Sequence, residues 1–471
     1  MIQGRTETSD RILDMQTKKK SIFNQFNRSN RLLVTLVLTL AAFFFFKEEI
    51  RGKEQLSHPF SLFVSQSDAR KTISASLKDA ISKNKRPEKI DLIDQSLGQR
   101  LNLAEKDDIE IKYSFDQELQ ENADKLLRQY KPDYGAIVMM DAKTGQVLAM
   151  SSFVKANAQA DNLAVRASFP AASIFKIITA STAVDRKGVD PQRKIAFNGG
   201  NYTLYKKNVL SEKVNKWTRF ISLKDAFAKS INTAFGRLTL ENLEPHDLTE
   251  YSKRFMFNKF IPADFKVEPS QAYIPTEKGF ELTQVASGYN RFNTLSPVHG
   301  AMIAASIINS GKIIAPYIVS QLEKNGKVIY KAEPYEIGQA ITPESALKVQ
   351  EMMEQTVLTG TSRKAFRQML RDKKFKQVDM GGKTGHFSGL NPKGRNDWFV
   401  GYATDGDRKI AVAAITVNVK KWTVKSSALG EMMIRKHFKS ILEEKEITKK
   451  LNRSAPDNDQ THLVDLKSDK T

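Results

Sequence analysis

Cysteine is absent from the 471-residue chain. Its absence excludes disulfide frameworks, Cys-ligated zinc, iron–sulfur clusters and every thiol nucleophile. It assigns no redox compartment, because cytosol and oxidising envelope both accommodate it. Histidine is scarce at six residues, which argues against a multi-histidine metal site, and no cofactor is expected. Acidic residues are in deficit: 74 Lys and Arg against 53 Asp and Glu leave a net charge of +21. A field of that sign favours nucleic acid, phospholipid headgroups or acidic wall polymer, and charge alone does not choose among them. Hydrophobic residues make up 40% of the chain, enough for a core, so wholesale disorder is excluded.

One uncharged apolar run stands near the N-terminus, residues 32–46, bracketed by Arg31 and Lys47. As a helix it spans roughly 22 Å at about 1.5 Å per residue, so crossing a hydrocarbon core of about 30 Å requires Arg31 and Lys47 to snorkel and the bilayer to thin. A cleaved signal peptide has a shorter leader and a small-residue cleavage site, whereas here phenylalanines follow Ala41 and Ala42. An uncleaved transmembrane anchor is the favoured reading. The leader carries Arg5, Arg11, Lys18, Lys19, Lys20, Arg28 and Arg31, while the stretch just beyond the run carries Lys47, Arg51 and Lys53. The positive-inside rule then keeps residues 1–31 in the cytoplasm and predicts a single pass through the cytoplasmic membrane, with the C-terminal portion on its outer, periplasmic face. That orientation, and the lack of a compact basic motif with interleaved aromatics, removes nucleic acid as the expected partner.

Residues 47–112 are polar and charged and read as a stalk or small pedestal, with one amphipathic helix near 68–83. From Tyr113 the texture changes. Gln117 to Gln129 has helical periodicity, and two short apolar runs, Gly135–Met140 and Gln146–Ser152, flank Asp141-Ala142-Lys143-Thr144-Gly145, a hairpin turn in which glycine takes the positive φ. Leu223, Ala226, Phe227, Ile231, Ala234, Phe235 and Leu238 recur at threes and fours as one buried stripe, capped by Ser222 with Asp225. Pro297–Ser310 reads as a buried helix stopped by Gly311. Three strand candidates follow, Val378–Thr384, Asp397–Ala403 and Ile410–Val419, then a helical pattern over Ser427–Leu442 and a polar tail, residues 447–471. Strands at both ends of a helical middle predict an α/β layered fold over 113–446: a mainly antiparallel sheet of about five strands, helices on both faces and an all-helical subregion.

Ser173-Ile174-Phe175-Lys176 opens an apolar helix just after Pro170. Three residues apart on a helix, hydroxyl and amine share a face. A lysine desolvated in a cleft near a second cation loses its proton readily and can take the serine's, and the helix N-terminus favours a developing oxyanion. The bare pattern Ser-x-x-Lys carries little, since Ser82 with Lys85, Ser152 with Lys155 and Ser345 with Lys348 also match it. Lys-Thr-Gly occurs twice, at 143–145 and 383–385, and Ser-x-Asn occurs at Ser82 with Asn84 and at Ser230 with Asn232. Order and context single out one set: Ser173 at a helix start, Ser230 and Asn232 interrupting a helix, and Lys383 in a Lys-Thr-Gly that ends a strand.

In that set the chain resembles the penicillin-binding protein transpeptidase family, a branch of the serine D,D-peptidase and β-lactamase-like superfamily. Supporting stretches are Tyr113-Ser114-Phe115-Asp116, Gly135-Ala136-Ile137-Val138, Leu295-Ser296-Pro297, Gly360-Thr361-Ser362 and Asp397-Trp398-Phe399-Val400-Gly401-Tyr402, and the likeness spans about residues 113–442. The resemblance implies that Ser173 attacks the carbonyl of a D-alanyl-D-alanine stem peptide and forms an acyl-enzyme, with Lys176 as general base. Ser230 would relay a proton to the leaving amine, Asn232 would hold the substrate amide, Lys383 would supply positive potential and Thr384 would bind the terminal carboxylate. Gly385 would let the substrate backbone approach, and the backbone N–H groups of Ser173 and His386 would form the oxyanion hole. Peptidoglycan stem peptides and β-lactams are the implied ligands.

Two departures stand out. The family usually has Thr or Ser where this chain has His386, which bears on carboxylate recognition and β-lactam affinity, and Pro170-Ala171-Ala172 replaces a frequent Pro-Gly. Only about 65 residues separate Lys47 from Tyr113, too few for a second catalytic core, so a lone transpeptidase working beside a membrane glycan polymerase is expected. Class A β-lactamases place a Glu four residues before an Asn to position water, and no Glu between 240 and 290 is so followed. A D,D-carboxypeptidase or β-lactamase of the same superfamily, or a non-catalytic β-lactam sensor or wall binder, are the alternatives. Lys143-Thr144-Gly145 is assigned to a turn, Trp398 and Phe399 to sheet core, and Trp217 either lines the cleft or packs.

Overall fold

The structure, a computed structural model, describes residues 109–157 and 160–454. The leader, the apolar run 32–46, most of the stalk and the end of the tail lie outside the described residues. Among the described residues no helix is long and apolar enough to cross a membrane.

Five strands form the central sheet: β1 (Tyr134–Asp141), β2 (Val147–Val154), β3 (Asp379–Leu390), β4 (Lys393–Thr404) and β5 (Lys409–Asn418). Their order is β3-β4-β5-β1-β2, and every neighbouring pair is antiparallel. The N-terminal hairpin therefore adds to the C-terminal meander through β5 and β1, where Ile415 faces Ala136. The hairpin turn forms as its residue types require. Asp141 Oδ1 accepts from the backbone N–H groups of Lys143 at 2.9 Å and Thr144 at 2.7 Å, and Gly145 takes φ +81° with no room for a Cβ beside the Ala315 carbonyl.

The helices that position the site are, in chain order, α1 (Gln117–Tyr130), α2 (Lys176–Lys187), α3 (Leu223–Ala228), α4 (Asn232–Asn242), α5 (Pro297–Ile308), α6 (Pro343–Leu358), α7 (Arg363–Arg371) and α8 (Ser426–Ser454). The alternating side chains of the sheet feed two cores. Ile137, Met139, Phe399, Val412 and Ala414 meet α1, α7 and α8 on one face. Ala136, Val138, Trp398, Val400 and Ala413 meet α5 and the helical region on the other. All of α5 is buried, which accounts for its apolar character all round.

Several sequence expectations need correction. β3 does not end at Thr384 but pairs with β4 as far as Leu390, so Lys383-Thr384-Gly385 lies mid-strand. The stretch shows no hydrophobic alternation because its inner face is shaped by what it must admit: an added Cβ at Gly381 or Gly382 would come within 2.5 Å of the Tyr402 or Phe399 ring. The stripe from Leu223 to Leu238 runs over two helices, interrupted at Ser230 as expected, where φ is +55°, and the Ser222 cap forms, accepting from Asp225 N at 3.1 Å. Ser173 precedes the α-helix, on a 3₁₀ turn, Ala172–Phe175. Pro297 starts its helix as expected, but the helix ends at Ile308, short of Ser310. The strand Ile109–Tyr113 straddles the boundary drawn at 112 and pairs with Val319–Lys324, and α8 runs past residue 446.

Gly430 of α8 lies against the fully buried Phe399, where an added Cβ would stand 2.3 Å from the ring. Gly430→Ala gains about 1 kcal/mol of helix propensity and loses about 1–3 kcal/mol to overpacking. The net expectation is a lower urea midpoint, whereas Gly338→Ala, which meets nothing within 4 Å, leaves the midpoint in place.

Candidate active site

The chain folds so that three distant stretches meet where the helical region abuts the edge strand β3. Ser173 projects from the turn ahead of α2, and Lys176, the first residue of α2, is fully buried beneath it. Lys176 Nζ lies 2.9 Å from Ser173 Oγ, 2.7 Å from Asn232 Oδ1 and 2.5 Å from the Ser287 carbonyl. All three partners are oxygens: an ammonium donates to each of them, whereas the neutral amine donates to the amide and carbonyl oxygens and accepts from the serine hydroxyl. Burial, then the nearby Lys383 charge, holds Lys176 well below the usual lysine range.

Asn232 opens α4, and its Nδ2 donates to the Tyr202 carbonyl at 2.9 Å, which aims Oδ1 at the lysine. Ser230 sits in the break before it. Lys383, also fully buried, donates from Nζ to Ser230 Oγ at 2.8 Å and to the Thr384 carbonyl at 2.9 Å, and burial pushes it down to about 7. The hydroxyls of Thr384 and Thr361 are 2.6 Å apart. The loop carrying Thr361 is tied to α3 by the Thr361 N–H, which donates to the Ala228 carbonyl at 3.1 Å. An added Cβ at Gly385 would stand 3.3 Å from both Ala172 Cβ and the Ile174 nitrogen, so β3 runs directly past the serine turn.

Side chains from separate parts of the sequence thus gather beside Ser173: Lys176 touches its hydroxyl, Asn232 touches Lys176, and the charge of Lys383 acts on Lys176. The family model for the penicillin-binding protein transpeptidase domain matches residues 135–437, well over half of the chain. The chain belongs to the penicillin-binding protein transpeptidase family.

Among curated proteins this transpeptidase-family chain is 26% identical over 300 residues to stage V sporulation protein D of Bacillus subtilis, covering 59% of this chain and 44% of that protein. It is 26% identical over 323 residues to the peptidoglycan D,D-transpeptidase PbpA of Mycolicibacterium smegmatis, covering 60% and 62%. The chain therefore spans less than two thirds of these relatives' own length. Among solved structures, the D,D-transpeptidase domain of a peptidoglycan glycosyltransferase from Eggerthella lenta matches with a TM-score of 0.59 at 23% identity, covering 73% of this chain and 87% of that one. The penicillin G acyl-enzyme of penicillin-binding protein A from M. tuberculosis matches with 0.56 at 22%, covering 74% and 85%. These structural likenesses establish the fold.

His386, the departure from the family pattern, follows Gly385 on β3 and stands opposite Asp397 of β4. Its Nε2 contacts Asp397 Oδ1, lies 3.2 Å from Lys425 Nζ, and its ring meets Trp422 edge-on at 5.8 Å. A carboxylate only accepts, so Nε2 carries the hydrogen, and Lys425 is held by the Asp397 charge and the Trp422 face, 3.5 Å away. The buried Asp397 is itself anchored by the Ser426 N–H at 2.7 Å, at the start of α8.

Sequence reasoning missed Ser287 and Gly288. The Ser287 carbonyl takes one of the Lys176 bonds, and Gly288, at φ +64°, lets that segment press on the Ser173 turn, since a Cβ there would stand 1.9 Å from the Ala172 carbonyl oxygen. The only signal was a glycine following a helical pattern. Thr361 stood in a quoted stretch without a role, and only the fold brings it to Thr384. Lys143-Thr144-Gly145 is a turn, Trp398 and Phe399 are fully buried, and Trp217 is exposed rather than packed.

The depressed value at Lys383 makes stability depend on pH in a stated direction. An unfolded lysine keeps its proton to 10.5 while the folded one sheds it at about 7, so between these values the unfolded chain binds more protons. Stability therefore rises with pH across that window and is lost as pH falls through it. The urea midpoint should climb from pH 7 to pH 9, and Lys383→Met should flatten part of the climb, with Lys176 supplying the remainder.

Proposed function

We propose that the chain is a serine D,D-transpeptidase that cross-links peptidoglycan stem peptides, anchored by residues 32–46 in the cytoplasmic membrane with its catalytic portion on the outer face. The observation that carries the reading is the buried Lys176 amine in bonding contact with both Ser173 Oγ and Asn232 Oδ1. Ser173 Oγ bonds to the penultimate D-alanine carbonyl as its proton passes to Lys176. The resulting oxyanion is met by the N–H groups of Ser173 and His386, each worth about a hundredfold or more in rate. As the peptide C–N bond breaks, Ser230 passes a proton to the leaving amine and recovers one from the Lys176 ammonium, which returns Lys176 to the neutral amine, while Lys383 Nζ holds the Ser230 oxygen in place. The amine of a second stem peptide then attacks the ester, returns the proton to Ser173 and leaves a cross-link.

The donor's terminal carboxylate meets Thr384, whose hydroxyl is backed by Thr361. His386 replaces a hydroxyl here, and its imidazole is committed to Asp397. β-Lactams enter the same route, since their carbonyl and carboxylate present the same two features. A membrane glycan polymerase supplies the strands, and in-cell cross-linking that recovers no such polymerase contradicts that part.

Labelling the full-length protein with fluorescent penicillin tests the reading. Wild type should gain one covalent adduct that persists for hours, and Ser173→Ala should gain none. Rapid loss of the adduct points to β-lactamase turnover instead, and no adduct on wild type contradicts the proposal. Restoring the hydroxyl with His386→Thr should raise the acylation rate constant several-fold, up to about tenfold, the effect of one added hydrogen bond to a charged group.

A further inference from the structure

The segment between Phe197 and Arg219 has no part in the chemistry above. Its flanks pair as an antiparallel ribbon, Lys194–Phe197 against Arg219–Ser222, and the connection carries only the single turn Lys206–Val209. At about twenty residues it exceeds the ~12–15 beyond which such connections are uncommon in compact domains and usually functional. It is firmly pinned on its inner side. The Arg219 guanidinium lies 4.3 Å over the Phe197 ring, donates to Asn201 Oδ1 at 2.9 Å and reaches the Gly199 carbonyl. Leu204 and Val209 are buried, and Val209 presses on α4 at Gly236, where an added Cβ would stand 2.8 Å from it.

The same backbone forms one wall of the active site. The Asn232 N–H donates to the Asn201 carbonyl at 2.9 Å, Asn232 Nδ2 donates to the Tyr202 carbonyl, and Thr233 Oγ1 donates to the Thr203 carbonyl at 3.1 Å. On its outer side the segment and its ribbon expose Tyr202 (67%), Tyr205 (58%), Trp217 (75%) and Phe220 (61%). Large aromatics exposed along one segment and its ribbon mark recognition rather than packing. Exposed Lys206, Lys207, Lys213 and Lys216 are interspersed with them along the segment, which with Arg219 carries five basic residues and a single acidic one, Glu212.

We propose that this flap is a docking surface for the polymer, a strand of amino-sugar rings bearing acidic peptides. Tyr and Trp faces cover the apolar faces of the sugars, and the lysines pair with stem-peptide carboxylates. The inference rests on the transpeptidase reading and extends it from the scissile bond to the strand. Aromatics with lysines also suit an anionic bilayer. The tie to Asn232 favours the strand, because a ligand on the flap lies against the very segment whose carbonyls hold the site's asparagine, and a lipid surface makes no use of that connection.

Co-sedimentation of the full-length protein, in detergent, with purified insoluble wall sacculi tests this, with phosphatidylglycerol vesicles as a parallel arm and penicillin acylation as the check that the site is assembled. Trp217→Ala and the pair Lys213→Gln with Lys216→Gln should each weaken retention on sacculi by about tenfold, the scale of one lost charge-assisted contact. The lysine pair should also reduce the salt dependence of retention. Trp217→Phe, which keeps an aromatic face, should retain most of the binding and decides the matter if Trp217→Ala has also lost acylation. Retention of all variants at the wild-type level overturns the inference, as does a loss confined to the vesicle arm. Normal acylation with unaltered retention overturns the docking surface alone, whereas a wild type that penicillin does not acylate overturns the transpeptidase reading beneath it.

Discussion

Two lysine amines are held out of water where the helical region meets the edge of the sheet. Burial alone depresses Lys383, and burial together with the Lys383 charge depresses Lys176. Keeping an ammonium ion in such a place costs several kcal/mol, so the group escapes the cost by losing its proton. The fold thereby uses desolvation to hold Lys176 well below the usual lysine range, and the hydrogen bonds that Nζ donates to Asn232 Oδ1 and the Ser287 carbonyl fix where the amine points. Most other features of the site arrange what the lysine acts upon.

That arrangement relies on backbone held in unfavourable conformations. Ala172, just before Ser173, has φ +49°, and Ser230 has φ +55°. Each costs on the order of 1 kcal/mol for an L-residue without a glycine's freedom. The Ala172 turn is held between Gly288 and Gly385, which are close enough that neither position has free space for a side chain. Ser230 is held by Lys383 and by the break between α3 and α4. The strain places both hydroxyls on the cleft, and the tight packing around them keeps them there.

Much of this was legible in the sequence where the cause is local. The Asp141 turn, the Ser222 cap, the Pro297 helix start and the order of the three motifs depend on neighbouring residues, and each stands where the residue types put it. The length of β3 was not legible, because Gly381, Gly382 and the polar residues beyond Lys383 have no strand signature of their own and extend only because β4 pairs with them. The 3₁₀ turn at Ser173 is likewise set by what presses on it. The Ser287 carbonyl, the Thr361 hydroxyl and the Asp397 and Lys425 partners of His386 join the site through contacts between residues far apart in the chain, which spacing does not record.

The charge on one side chain tests the central claim most directly. With lysine labelled at Cε and the Lys176 signal assigned by its loss in Lys176→Met, an NMR titration of the full-length protein reads whether that amine is protonated. The account requires a neutral amine at pH 7.5, with protonation only at lower pH. A Lys176 signal that remains that of an ammonium up to about pH 10, as for an exposed lysine, contradicts it.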